Sequence, residues 1–128
     1  MWLSDYAADL SMAINGFAAT GLILDYELTT DIRTDTLGLI KGNLTFVDES
    51  RLFFTEYLDT ENEIEKLAYS FHYQTRDHTL IFRYDNAAHK PALEFAHHKH
   101  TQSGIEPAKV PDLAGVVEEI FGLLEKSV

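Results

Sequence analysis

Two neighbouring stretches of alternating residues constrain the fold of this chain more than any other feature. Residues 66–74, KLAYSFHYQ, and residues 80–85, LIFRYD, both place a large apolar or aromatic side chain at every second position. A period of two is typical of half-buried β-strands. The link between them, around Arg76 and Asp77, is too short for anything except a turn, so the two stretches predict an antiparallel hairpin.

The aromatic side chains also predict how the two strands pair. A slip of one residue would turn each aromatic side chain to the wrong face of the sheet. The face-matched pairing that we expect joins Tyr73 to Leu80, Phe71 to Phe82, and Tyr69 to Tyr84. Polar side chains from both strands then share the other face, namely those of Ser70, His72, Arg83 and Asp85.

The rest of the chain adds strands and one helix near each end. Apolar residues recur every three or four positions in residues 3–17 and in residues 113–124, which predicts two helices. Further strands are expected near residues 22–29, 37–47 and 52–57. We therefore predict an α+β fold in a single domain of residues 1–128, with an antiparallel meander sheet of about five strands flanked by an N-terminal and a C-terminal helix.

Composition excludes several classes of site. The 128 residues include no cysteine, so disulfides, thiolate metal sites and cysteine nucleophiles are excluded. The first ten residues lack the basic region of a secretory signal, and no apolar run approaches the length of a membrane span. We expect a cytoplasmic protein without membrane association. The apolar faces suit a homodimer as well as they suit the core of a monomer.

Charge is distributed unevenly along the chain. The formal net charge is −11, yet residues 66–109 contain six lysines and arginines against four acids, together with all six histidines. A locally basic, protonatable segment of this kind could bind a phosphodiester, and the acidic remainder could meet a basic protein partner. The alternative is an acidic surface that only confers solubility.

Four histidines cluster in residues 80–101, and the first interpretation of this histidine-rich loop is a metal site. If the segment around them is extended, His98 and His100 point to the same side. With His89 or His72 they would offer three nitrogen ligands and an open coordination position.

The second interpretation is cleavage of a phosphodiester without a metal. One histidine would take the proton from a ribose 2′-hydroxyl, a second would protonate the leaving oxygen, and an arginine or lysine would stabilise the charge on the phosphate. Asp85 would orient an imidazole. The candidate catalytic residues are His72, Arg83, Asp85, His97, His98 and His100.

The third interpretation is a binding surface without catalysis. Tyr84, Phe95 and the histidines would stack unpaired bases, while Arg83, Lys90 and Lys99 would follow the phosphate backbone. The alternation places most strand aromatics on one face, which favours a packing role for them.

The motifs of the sequence and their order resemble those of a known family. The run SFHYQTRDHTLIFRYDNAAHKP, followed by AHHKH, is similar to the TumE toxins of two-gene toxin–antitoxin modules. The stretch LTFVDESRLFFTEYL precedes it in the family order. Ala88, His89 and Lys90 stand where the family loop is expected to carry a proline and two histidines, so His89 retains the first histidine. The motif positions are His72, Tyr73, Arg83, Tyr84, Asp85, Asn86, His89, His97, His98 and His100.

The resemblance implies a growth-inhibiting toxin that acts on RNA and is neutralised by a cognate antitoxin with a helix-turn-helix domain. Together with the chemistry above, it leads us to expect a ribonuclease without a metal or another cofactor. We assign substrate binding to Tyr84, Asn86, His89, Lys90 and Lys99. The alternative function is a non-catalytic domain of such a module that binds nucleic acid or regulates its partner.

Overall fold

The computed structural model describes residues 1–88 and 95–126 and confirms the α+β meander. In chain order its elements are α1 (Leu3–Ala18), β1 (Ile23–Ile32), β2 (Leu37–Phe46), β3 (Arg51–Asp59), β4 (Glu65–Gln74), β5 (Leu80–Asp85), β6 (His98–Thr101), β7 (Gly104–Pro107) and α2 (Leu113–Lys126). The strands form one antiparallel sheet, and each pairs with its neighbours in the sequence. Within the described part of the chain, neither helix has the length and apolar content that crossing a membrane requires.

Within the described residues the sheet has seven strands where about five were expected. The two additional strands, β6 and β7, are four residues each. β6 lies in the histidine-rich segment that we interpreted as a loop, and β7 follows it. They are polar and short, and the pairing of β6 with β5 and of β7 with β6 gives them their extended form. As a result His98 and His100 belong to a strand.

Both helices pack on one face of the sheet, which we call the helix face. Its buried core is formed by side chains from both helices and from every strand between β1 and β5, among them Leu3, Ile14, Leu44, Phe54, Phe71, Phe82, Val117 and Ile120. The strand residues that alternate with this core lie on the opposite face, which we call the open face. The open face carries the polar side chains of the predicted hairpin.

A glycine allows α1 to pack closely on the sheet. A Cβ atom at Gly38 would lie 2.5 Å from Cδ2 of Leu3 and 2.6 Å from the carbonyl oxygen of Asp31. Both distances are well inside van der Waals contact, so a larger residue here would push the start of α1 away from β2.

The hairpin of β4 and β5 forms, but the predicted pairing was wrong by two residues. Tyr73 lies opposite Phe82, and Phe71 lies opposite Tyr84. The turn is closed by a hydrogen bond of 2.9 Å from the Thr75 amide to the Thr79 carbonyl, and a register shift follows it between residues 73 and 74. This irregularity adds a residue to the β5 side, as a bulge does. Because the error is an even number, residues 68–74 and 82–85 remain on their predicted faces. Ile81, in the bulge, instead packs against the core, and Lys66 reaches Glu56 on the helix face.

Candidate functional site

Two rows of polar side chains cross the open face on three adjacent strands. His72 on β4, Arg83 on β5 and His100 on β6 lie opposite one another and form the first row. Ser70, Asp85 and His98 form the second row in the same way. Residues that are directly opposite in antiparallel strands project to the same face. Five of the six predicted catalytic residues therefore come together here.

Asp85 is at the centre of this group and is only 4% exposed. Its Oδ2 accepts a hydrogen bond of 2.8 Å from Nε of Arg83, and its Oδ1 lies 3.1 Å from Nδ1 of His98. Nε2 of His100 lies 3.5 Å from Oδ2. Burial alone would raise the pKa of Asp85, but the hydrogen bonds from Arg83 and His98 and the nearby cationic groups outweigh it, so the pKa lies below its ordinary value. The carboxylate is ionised at neutral pH.

Arg83 joins the two rows. While Nε bonds to Asp85, Nη1 lies 3.4 Å from Nδ1 of His72. A guanidinium only donates, so Nδ1 of His72 faces it with its lone pair and Nε2 carries the hydrogen. Nε2 then donates to Oε1 of Gln74 at 3.0 Å. The Arg83 side chain is 38% exposed, which leaves its outer edge accessible to a ligand.

His98 and His100 differ in their accessibility. The His98 side chain is 3% exposed, its Nε2 lies 2.9 Å from the Phe95 carbonyl oxygen, and its ring meets the Phe95 ring edge to face. The His100 side chain is 19% exposed. Burial between Phe95 and Asp85 fixes His98 in place, whereas His100 reaches the surface beside Arg83.

Three other predicted residues lie on the helix face, away from these rows. Tyr84 donates a hydrogen bond of 2.6 Å to Glu119 of α2, and Lys99 forms an ion pair of 2.9 Å with the same carboxylate. His97 stacks on Tyr69, and its Nδ1 lies 2.9 Å from the tyrosine hydroxyl. Burial and the negative charge of Asp85 raise the pKa of Tyr69 to about 12, so the hydroxyl is protonated at neutral pH.

The remaining predicted residues contribute differently. The Asn86 side chain extends the pairing between β4 and β5, since its Oδ1 accepts from the Tyr69 amide at 3.1 Å and its Nδ2 donates to the Leu67 carbonyl at 3.2 Å. His89 and Lys90 lie outside the described residues.

A cavity on the open face adds residues that the sequence did not single out. It measures about 300 Å³ and is lined by residues of β1, β2 and β3, namely Glu27, Thr29, Lys41, Gly42, Asn43, Phe53, Phe54 and Thr55. Phe53 lies opposite His72, and Thr55 lies opposite Ser70. The cavity is thus one strand from the two rows. The alternation of β2 and β3 predicts which of these residues face outward, although it does not predict that they surround a cavity.

The stability of the protein at low pH should depend on the charge of Asp85. Because its folded-state pKa is below the ordinary 3.8, the ionised carboxylate stabilises the native state above that pH, and the contribution is lost as the pH falls below about 4. We expect urea unfolding in EDTA, from about pH 6 to about pH 3, to show a steeper loss of stability in the wild type than in Asp85→Asn. Parallel curves for the two proteins would contradict an ionised, stabilising Asp85.

Comparison with known proteins identifies the family. Searches of curated proteins and of solved structures find no match. The family model described as "Toxin TumE" matches residues 15–128, which is most of the chain and includes both rows of the open face. The chain therefore belongs to the TumE family of toxins.

Proposed function

We propose that this toxin is a metal-independent ribonuclease that cleaves RNA on the open face of its sheet. The observation that carries the proposal is the row in which Arg83 lies between His72 and His100. In-line displacement at phosphorus needs a base on one side of the phosphate and an acid on the other. Neighbouring strands are about 4.8 Å apart, so the two histidines flank Arg83 at a spacing that suits a bound phosphate.

The chemistry follows from the hydrogen bonds of each residue. Once Nη1 of Arg83 turns from His72 to the bound phosphate, the lone pair on Nδ1 of His72 accepts the proton of the ribose 2′-hydroxyl, and the 2′ oxygen attacks phosphorus. The bond from phosphorus to the 5′ oxygen breaks as the His100 imidazolium protonates that oxygen. The products are a 2′,3′-cyclic phosphate and a 5′-hydroxyl end.

Arg83 and Asp85 support this reaction electrostatically. The guanidinium of Arg83 stabilises the negative charge that develops on the phosphate oxygens. Asp85 holds Arg83 through its Nε bond of 2.8 Å and attracts the imidazolium of His100. His98 fixes Asp85 and acts as a positioning residue. We assign no chemical step to His97, Tyr84 or Lys99, which bond to Tyr69 and Glu119 on the helix face.

The neighbouring cavity would hold one unpaired base of the substrate. Its volume of about 300 Å³ includes the Phe53 ring for stacking and the polar groups of Glu27, Lys41 and Asn43 for the base edge. Arg51, whose guanidinium is 4.8 Å from the centre of the Phe53 ring, adds a cation beside it. Phe53 lies across from His72, so a base stacked there is one strand from the attacking group.

The experiment is cleavage of single-stranded RNA by the purified protein in EDTA. We expect cleavage to persist in the chelator and to leave 2′,3′-cyclic phosphate ends. His72→Ala and His100→Ala should each lower the rate by about 10²–10⁴-fold, which is the usual contribution of general acid–base catalysis. His97→Ala should retain activity because His97 lies on the helix face. Loss of cleavage in EDTA would refute the metal-free mechanism, and RNA binding without cleavage would favour a regulatory domain.

The same assay tests the base site with a matched pair of aromatic residues. Phe53→Ala should weaken RNA binding by about 1–3 kcal/mol, the contribution of stacking one base. Tyr57→Ala is the control. Like Phe53, Tyr57 lies on β3 and faces away from the core, but it does not line the cavity. Equal losses from both substitutions would contradict a base site at Phe53.

We also propose that the antitoxin partner is a helix-turn-helix protein encoded beside the toxin. The family membership supports an antitoxin in general, and the motif resemblance supports this type. The formal net charge of −11 suits a partner with a basic surface. Co-expression with the adjacent gene should restore growth and yield a complex that copurifies.

A further inference from the structure

The ligand atoms of Asp85, His98 and His100 have the spacing of a metal site. Nδ1 of His98 lies 3.1 Å from Oδ1 of Asp85, and Nε2 of His100 lies 3.5 Å from Oδ2. One ligand atom from each residue lies within 4.8 Å of the others. Bonds to zinc are about 2.0–2.2 Å, so two ligands at tetrahedral or octahedral angles are roughly 3.0–3.5 Å apart. The two shorter separations fit an ion bound between the side chains.

The hydrogen bonding of His98 also suits a metal ligand. Its Nε2 faces the Phe95 carbonyl oxygen at 2.9 Å, and because a carbonyl only accepts, this nitrogen carries a hydrogen. In the neutral ring Nδ1 then directs its lone pair at a carboxylate oxygen 3.1 Å away. The lone pair and the carboxylate oxygen repel each other. A proton or a metal cation between the two atoms removes this repulsion. A ligating histidine that donates its other N–H to a carbonyl is the usual arrangement around bound metals.

The backbone preorganises these three ligands. Asp85 and His98 are direct partners across β5 and β6, and His100 is two residues further along β6 on the same face. Asp85 and His98 are 4% and 3% exposed, so packing limits their alternative conformations. Ligands held on paired strands lose little conformational entropy when an ion binds.

We propose that Asp85, His98 and His100 bind a first-row divalent transition metal ion, with Zn²⁺ as the best match, and that the ion inhibits the toxin. Two imidazoles and one carboxylate suit Zn²⁺, whereas Mg²⁺ prefers oxygen ligands and water. Inhibition rests on the proposed ribonuclease function, and metal binding does not. An ion on Nε2 of His100 replaces the proton that makes this ring an imidazolium, and so removes the acid for the leaving oxygen. The ion also competes with Arg83 for Asp85.

Arg83 allows a specific prediction of the direction in which the Zn²⁺ affinity changes. Its Nε lies 2.8 Å from Oδ2 of Asp85, so its positive charge repels a dication bound to the same carboxylate. Arg83→Ala should therefore bind Zn²⁺ more tightly than the wild type. A metal held by scattered surface histidines would not respond in this way.

The binding experiment is a calorimetric titration of chelator-treated protein with Zn²⁺. We expect one ion per chain, and we expect His100→Ala to weaken binding by at least about 10–100-fold, since even the loss of an outer-shell partner has an effect of that size. His97→Ala and His78→Ala are the controls and should bind as the wild type does. Asp85→Asn should also weaken binding, and if it does not fold, His100→Ala is the decisive variant because its side chain is partly exposed.

Several outcomes would overturn the metal site. They are no binding of Zn²⁺, equal losses from His97→Ala and His100→Ala, or weaker binding by Arg83→Ala than by the wild type. In the activity arm, Zn²⁺ should stop RNA cleavage and EDTA should restore it. Binding without any ribonuclease activity would refute the proposed function alone, and cleavage that is insensitive to Zn²⁺ would refute inhibition alone.

Discussion

Arg83→Ala is expected to lower RNA cleavage by about 10²–10³-fold while the protein remains folded, the usual cost of removing one group that stabilises charge in the transition state. Nε of Arg83 is fixed by Asp85, and Nη1 extends toward His72, so the guanidinium presents its donors between the proposed base and acid. In cells without the antitoxin, the wild type should arrest growth and fragment RNA. The Arg83→Ala variant should do neither.

Two further arginine variants separate charge from geometry. Arg83→Lys should recover only part of the activity, because an ammonium keeps the charge but cannot donate to Asp85 and a phosphate in the same planar arrangement. Arg76→Ala is the matched control, since Arg76 lies in the turn of the same hairpin and forms an exposed ion pair with Glu49. Growth arrest that survives Arg83→Ala, in a protein shown to be folded, would remove Arg83 from the site.

The strong periodic segments were predictable from the sequence. The alternation in β4 and β5 predicted both strands, and it predicted the faces of residues 68–74 and 82–85 correctly, because an apolar core selects one face of a strand. The helices were predicted for the same reason, since Leu3 and Ile14 in α1 and Val117 and Ile120 in α2 recur at helical spacing and are buried. The hydrophobic effect acts on each of these elements directly and leaves its period in the sequence.

The register and the last two strands were not predictable in the same way. The pairing of β4 with β5 depends on a shift after the turn, and an irregularity of one residue leaves no mark on apolar alternation. β6 and β7 contain few apolar residues, so backbone hydrogen bonds to β5 and to each other hold them. Those bonds are independent of side-chain identity, and the sequence therefore suggested a loop.

The candidate site could be predicted only in part, because β6 was not recognised as a strand. Parity on β4 and β5 correctly grouped His72, Arg83 and Asp85 on one face. The same rule applied to β6 would have separated Lys99 from His98 and His100, but it applies only where a strand is recognised. Direct contacts with α2, such as the bond from Lys99 to Glu119, join positions that are far apart in the sequence and have no local pattern.

The sequence pattern also did not predict a buried ion pair on the helix face. Glu56 on β3 is completely buried, Nζ of Lys66 lies 2.7 Å from its Oε2, and the Tyr6 hydroxyl donates to its Oε1 at 2.8 Å. Lys66 also donates to the Pro111 carbonyl at 2.6 Å. Burial and the Glu56 charge raise the pKa of Tyr6, so its hydroxyl remains a donor. The group joins β3 and β4 to α1 and to the segment before α2.

Lys66→Met is expected to lower the free energy of unfolding by about 3–5 kcal/mol, because it leaves the Glu56 carboxylate buried without its cation. In a Glu56→Gln background the same substitution should cost much less, since no buried charge remains and the amide still accepts from Tyr6. Urea unfolding of the four proteins measures the coupling. Arg33→Ala, which breaks an exposed pair with Asp31, should change stability by less than about 1 kcal/mol.

The same variants test whether the two faces of the sheet have separate roles. Glu56 alternates to the helix face, whereas the proposed catalytic row crosses the open face. Lys66→Met should therefore melt at a lower temperature yet cleave RNA at the wild-type rate wherever it is folded, whereas Arg83→Ala should lose cleavage at temperatures where it is folded. An equal cost of Lys66→Met in both Glu56 backgrounds would mean that Lys66 stabilises the fold by packing rather than by neutralising Glu56.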